Sequence, residues 1–151
     1  MRTKTVVLIA CTVGLSAAGC RKPPDPARGT IAPLDVAGPP ADAITTPSGL
    51  AYRVLVSGGR GGPHPGPQSR VVIHYTGWTP DGAIIEGAPI GGAPATFQLS
   101  DTMPGWQEGL RMMRVGDKRR FWIPGRLAYE NQPGKPHGML VYDIDLLQFV
   151  D

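Results

Sequence analysis

Three histidines, two cysteines, a few serines near acids and a cluster of basic residues are the side chains from which bond-making chemistry would have to be drawn in this chain of 151 residues. None stands at a spacing that does it. His64, His74 and His137 have no cysteine partner at metal-ligand spacing and read as ordinary polar residues, so neither a metal nor a cofactor is expected. The run Gly58-Gly59-Arg60-Gly61-Gly62 lacks a following Gly-Lys-Ser/Thr and opens no helix, so it is a loop and not a phosphate cradle. Ser69, Ser100 and Asp101 have no triad context, which leaves hydrolysis without support. Arg111, Arg114, Lys118, Arg119 and Arg120, with Trp122 beside them, form the densest basic cluster, and strand alternation puts Arg120 and Trp122 outward on a solvated face. Trp106 and Tyr142 read by type alone as core residues.

The elements that must position any site follow from composition. Gly and Pro together make up about a quarter of the chain, and charged residues only 18%. That excludes a coiled coil or long helical bundle and favours a turn-rich, mostly β domain with an appendage. Met1-Arg2-Thr3-Lys4-Thr5 is a cationic start, followed by an apolar stretch from Val6 to Leu15 and the small residues Ala17, Ala18 and Gly19 before Cys20. Ten apolar residues rise about 15 Å as a helix, half of a hydrocarbon core, so residues 1–19 read as a secretory leader and not a membrane span. Small residues directly before a cysteine resemble the bacterial lipobox, which implies cleavage before Cys20, a thioether-linked diacylglycerol on its sulfur and acylation of the new amine. Arg21 follows in place of the Asp that retains many such lipoproteins at the inner membrane, so the resemblance points to the periplasmic face of the outer membrane.

Removal of the leader takes Cys11, Arg2 and Lys4 with it. One cysteine remains, too few for an internal disulfide. Thirteen basic against twelve acidic residues leave a charge of +1, and a secreted, nearly neutral chain is not expected to bind nucleic acid. Residues 20–43 carry Pro23, Pro24, Pro26, Pro33, Pro39 and Pro40 without apolar periodicity, the composition of an extended spacer. Within it only Ile31, Leu34 and Val36 offer apolar surface for docking.

Residues 44–151 carry the folded domain. Strands are predicted over Leu50–Val56, Arg70–Trp78, Ala83–Glu86, Ala95–Leu99, Lys118–Ile123 and Met139–Phe149, with a hairpin turn at Thr79-Pro80-Asp81-Gly82. Pro104–Met113 is the one helical candidate: Asp101 or Thr102 is placed to cap it, and Trp106, Leu110 and Met113 fall on one face. About five strands and one short helix describe an α+β fold, a twisted antiparallel sheet wrapped around the helix.

His74-Tyr75-Thr76-Gly77, Asp81-Gly82, Gly105-Trp106-Gln107-Glu108-Gly109-Leu110, Val115-Gly116-Asp117-Lys118, Ile123-Pro124, Leu127-Ala128-Tyr129 and Leu140–Leu147 occur in the order and approximate spacing of a known family. From about Thr46 to Phe149 the chain resembles the FKBP-type peptidyl-prolyl cis-trans isomerases. The resemblance implies rotation of X–Pro bonds in secreted or envelope polypeptides, a monomeric domain, and macrolide inhibitors as further ligands. It implies Trp106 as the floor of a pocket and Tyr75, Ile85, Thr102, Met103 and Tyr142 as its walls. The Tyr129 hydroxyl and the Met103 backbone N–H would be donors to substrate carbonyls. Glu86 would stand at the pocket wall, where a hydrogen bond with Tyr75 is physically plausible.

The family usually has Phe-Asp where this chain has Ile85-Glu86, an aromatic at Ala95, Val-Ile at Thr102-Met103 and Gly at Glu130. The loop Asn131–Gly138 also looks shortened and offers no apolar cover. These departures imply a shallower, less aromatic cup with reduced turnover. The alternative is a membrane-tethered module that binds prolyl peptides, in the manner of a chaperone, without significant catalysis.

Overall fold

The computed structural model describes residues 31–88, 92–130 and 132–151. The leader and the lipid site expected at Cys20 lie outside the described residues, and among those described no helix is long and apolar enough to cross a membrane.

Seven antiparallel strands form one sheet, against the expected five or so: β1 (Ile44–Thr45), β2 (Ala51–Val56), β3 (Arg70–Trp78), β4 (Ile84–Ala88), β5 (Ala95–Gln98), β6 (Lys118–Ile123) and β7 (Leu140–Val150). Their order is β1-β2-β6-β7-β3-β4, with β5 pairing the first half of β3 and β4 its second half. The predicted hairpin turn forms, Gly82 donating its N–H to the Thr79 carbonyl at 2.9 Å. β7 is the long central rail: it pairs with β3 from Arg70↔Val150 to Trp78↔Val141, and with β6 from Lys118↔Asp145 to Ile123↔Leu140.

Period-2 alternation divides this sheet into two faces. Leu50, Val71, Ile73, Phe121, Ile123, Leu140, Tyr142, Ile144 and Leu146 pack on one side with Trp106 and Leu110 of α1 (Pro104–Arg111), the single α-helix among the described residues. At two turns α1 is too short to persist alone and depends on that packing. Gly105 and Gly109, one turn apart, allow the contact: a Cβ at Gly105 would meet Ile123 Cγ2 at 2.5 Å, and one at Gly109 would meet Phe121 Cε1 at 2.8 Å. The capping residue differs from expectation. Met103 holds the N-cap position with no side-chain cap, and Pro104 in the first turn, which has no N–H, leaves one fewer group there to satisfy. The Gln107 side chain instead donates back to the Thr102 carbonyl at 2.7 Å and to the Ser100 carbonyl at 3.2 Å, tying the lead-in chain to the helix.

The other face corrects the reading of residues 20–43 as spacer throughout and of Trp122 as solvated. Ala51, Trp78, Trp122 and Val141 form a second buried cluster, closed by Val36, with Ala32 and Ala43 against it. Trp122 is 1% exposed, and its indole N–H donates to the Asp35 carbonyl at 2.9 Å. The Asp35 carboxylate is paired with both Arg53 and Arg120, and Arg120 also holds Asp143 through two hydrogen bonds of 2.6 and 2.8 Å. Burial pushes the Asp35 carboxyl up, but the two guanidiniums outweigh it and hold the group below the usual carboxylate value. Of the three apolar residues open to docking, Val36 alone is buried; Ile31 and Leu34 remain exposed.

Candidate active site

A hollow of about 310 Å³ opens between the start of α1, the strands β3 to β5 and the chain after β6. That is the small end of the range for ligand pockets, ~300–1,000 Å³. Tyr75, Phe97 and Trp106 form its aromatic wall, Thr102, Met103 and Pro104 lead into the helix beside it, and Tyr129, Gln132 and Lys135 frame it from the chain after β6. Glu86 and Asp101 complete the lining.

Trp106 is only 4% exposed, yet its indole is the hub of the aromatic wall. Tyr75, Tyr142 and Phe97 meet it at centroid distances of 5.1, 5.2 and 5.3 Å with interplanar angles of 80°, 88° and 84°. This edge-to-face geometry sets positive ring edges against negative faces and makes the wall rigid. The indole N–H is buried without an acceptor among the described residues. Nor does the Met103 backbone N–H have an acceptor there, although its carbonyl accepts from Trp106 and Gln107.

Of the eight residues expected in the pocket, six line the hollow: Tyr75, Glu86, Thr102, Met103, Trp106 and Tyr129. Ile85 and Tyr142 do not. Ile85 is half-buried against the main core, and Tyr142 is fully buried beneath the wall. The partner proposed for Glu86 also changes: the Tyr142 hydroxyl, not that of Tyr75, donates to Glu86 Oε1, at 2.8 Å. Gly77 makes room for this arrangement, since a Cβ there would lie 2.4 Å from Tyr142 Cε1. Phe97, which is not among the expected pocket residues, supplies a further aromatic; it stands two residues beyond Ala95, on the same face of β5, so the cup is more aromatic than expected.

Three phenols thus surround one carboxylate. Burial, then the nearby Glu86 charge, pushes the phenols of Tyr75, Tyr129 and Tyr142 above their ordinary values, most strongly at the enclosed Tyr142. A hydrogen bond with Tyr142 partly opposes this at Tyr129. The sign of the linkage is fixed by these directions: stability from a raised phenol is complete below pH ~10 and is lost as pH rises past it, at the enclosed Tyr142 by up to ~1.4 kcal/mol per pH unit. Tyr142→Phe should therefore flatten the alkaline slope by one proton in urea denaturation series between pH 9 and 12. At pH 7 the same change should cost ~1–3 kcal/mol by leaving Glu86 without its donor. An unchanged alkaline slope would show that the Tyr142 phenol loses its proton at the same pH in the folded protein as in the unfolded chain.

The histidines are each bonded to a backbone carbonyl: His64 to Met113, His74 to Ala88 and His137 to Glu130. Among the described residues no group of three or more His, Cys, Asp or Glu side chains could hold a metal ion.

A twisted antiparallel sheet packed on one short helix, with an aromatic hollow at the helix start, defines an α+β prolyl-isomerase-like domain. A profile of the FKBP-type peptidyl-prolyl cis-trans isomerases matches residues 61–147, and the chain belongs to that family. It is 41% identical to the FKBP-type peptidyl-prolyl cis-trans isomerase FkpA of Aeromonas hydrophila over 68% of its length, and 35% identical to the outer membrane protein MIP of Legionella longbeachae over 69%. It spans 39% and 46% of those two relatives. The crystal structure of FkpA from Escherichia coli superposes with a TM-score of 0.65 at 34% identity, covering 73% of this chain and 52% of that one.

Proposed function

We propose that this protein accelerates cis-trans rotation about X–Pro bonds in secreted or envelope polypeptides. The observation that carries the reading is the hollow walled by Tyr75, Phe97 and Trp106, with Met103 and Tyr129 beside them. Amide rotation has a barrier of ~18–20 kcal/mol because the planar ground state has C–N double-bond character. It needs neither a nucleophile nor a metal. A catalyst must bind the twisted amide better than either planar form, and the twisted amide is the less dipolar of the two. An apolar cup that strips water from the prolyl ring therefore penalises the planar state more. Every ~1.4 kcal/mol of that preference is tenfold in rate.

Each residue then has a role. Trp106 floors the cup and Tyr75 and Phe97 wall it. The Tyr129 hydroxyl and the acceptor-free Met103 N–H donate to substrate carbonyls. Glu86 is fixed by Tyr142 at the pocket wall. Macrolide inhibitors would compete for the same hollow. Cleavage before Cys20 and lipidation of its sulfur would tether the domain to the envelope, on the periplasmic face of the outer membrane, a reading supported by the name of the Legionella relative.

The charged and amide side chains of the lining, Glu86, Asp101, Gln132 and Lys135, favour a second reading: a module that binds prolyl peptides with little turnover. A protease-coupled assay on proline tetrapeptides separates the two. Catalysis predicts acceleration that falls about 3- to 10-fold in Tyr129→Phe, the value of one hydrogen bond to a substrate carbonyl. Peptide binding without acceleration would overturn the catalytic reading.

A further inference from the structure

Three charges, Glu86, Asp101 and Lys135, line the hollow, and none is in an ion pair among the described residues. Glu86 accepts from the Tyr142 hydroxyl at 2.8 Å, which leaves Lys135 and Asp101 without a strong partner. Lys135 stands with its Nζ 5.1 Å from the centre of the Tyr129 ring, and none of the ion pairs among the described residues includes it. Asp101 is also unpaired at another part of the lining: among the described residues its carboxylate accepts only from the Ser100 hydroxyl, at 3.3 Å. Both stand on chain that is held. Lys135 closes a turn on the Gln132 carbonyl, and Gln132 in turn donates to Tyr129. Asp101 ends a short 3₁₀ turn, Leu99–Asp101, that Gln107 fastens to α1 through Ser100. The hollow therefore presents a cation beside the Tyr129 phenol and an anion beside Thr102 and Met103.

From this arrangement we infer that Lys135 is a specificity-determining residue that selects polypeptides with an acidic side chain next to the proline. The inference rests on the hollow being the prolyl site. A proline seated on Trp106 brings the side chain of a neighbouring residue to the rim, where Lys135 offers a charge that pairs with no carboxylate among the described residues. The cation sits over an aromatic face, which restricts where it points while leaving its outer hydrogens to a ligand. Asp101 repels the same acidic side chain, so the two charges set which way along the hollow an acidic peptide runs. A hollow lined by apolar residues alone would give Glu no advantage over Gln.

The test is fluorescence anisotropy with labelled tetrapeptides carrying Glu, Gln or Lys immediately before or immediately after the proline, beside the isomerase assay on the same set. At low salt one of the two Glu peptides should bind about two- to fivefold tighter than its Gln counterpart, the value of a rim ion pair. The ratio should fall to one in Lys135→Gln and in 0.5 M NaCl, because an exposed pair is screened. Asp101→Asn should act with the opposite sign and tighten both Glu peptides about twofold. Equal binding of Glu and Gln peptides at both positions would overturn the inference, as would a preference that survives Lys135→Gln. Failure of every proline peptide to bind would instead remove the prolyl site itself. Binding without acceleration leaves the charge selection readable, so the two ideas fail separately.

Discussion

Trp106→Ala is expected to lower kcat/KM on proline tetrapeptides about 50-fold and to cost ~3–5 kcal/mol of folding stability. The first figure comes from the prolyl ring: its three methylenes are worth ~0.8 kcal/mol each when buried, ~2.4 kcal/mol in all, and the indole floor is the surface that buries them. The second reflects the hub position of the ring. Edge-to-face contacts with Tyr75, Tyr142 and Phe97 vanish together, each worth ~0.5–1.5 kcal/mol beyond its area. Because α1 is held by packing, the helix start would lose its anchor as well. Trp106→Phe separates the effects, keeping an apolar floor and most of the ring contacts, so it should retain most of the stability and a larger share of the activity. Urea denaturation gives the stability and the coupled assay the rate, both at a temperature where the Ala variant is folded. Full activity in a folded Trp106→Ala protein would exclude the hollow as the site of rotation.

The sequence made this side of the sheet readable. β3 and β6 begin and end where their alternation predicts, because their inward residues, Val71, Ile73, Phe121 and Ile123, fall strictly at every second position. Trp106 and Leu110 mark the inner face of α1 in the same way. What escaped has physical reasons too. β1 is two residues long, too short to leave a period. The partner of Glu86 is 56 residues away, and choosing Tyr142 over Tyr75 depends on a ring position that Gly77 permits and no local pattern encodes. Phe97 alternates as a core residue would and reaches the hollow only because β5 pairs with β3 beside it. The basic residues just before it in sequence, Arg119 and Arg120, disguise Trp122 as solvated, although Arg119 is bound to Asp117 at 3.2 Å and Arg120, on the face of Trp122, to Asp143 and Asp35. The covering chain announces itself by one apolar residue, Val36, and by ion pairs 18 and 85 residues apart in sequence.

Removing residues 1–42, so that the protein starts at Ala43, should cost ~3–4 kcal/mol relative to a protein that starts at Ile31. Loss of Val36 forfeits ~1.5–3 kcal/mol of apolar burial, and re-exposure of Trp78 and Trp122, each 2% exposed or less in the intact protein, adds to it. Asp35→Ala within the longer protein should cost less, because Arg120 keeps Asp143 and Arg53 keeps Asp42 at 3.4 Å. The pH dependence identifies the contact. Asp35 has a folded-state pKa held below its unfolded value, so its contribution is complete above pH ~4 and is lost as pH falls through the lower folded value. The stability difference between the two proteins should accordingly narrow in acid, although Asp117, which burial pushes up but the N–H groups of Gly58 and Arg114 and the Arg119 guanidinium together hold low, weakens both of them there. Urea titrations followed by tryptophan fluorescence at pH 7 and pH 3 measure each quantity. The effect should reach the hollow, since Trp122 alternates along β6 with Phe121 and Ile123, the residues against which Gly109 and Gly105 seat α1 and hence Trp106. Equal stability of the two proteins at pH 7 would reduce residues 31–42 to a spacer lying on the sheet without holding it.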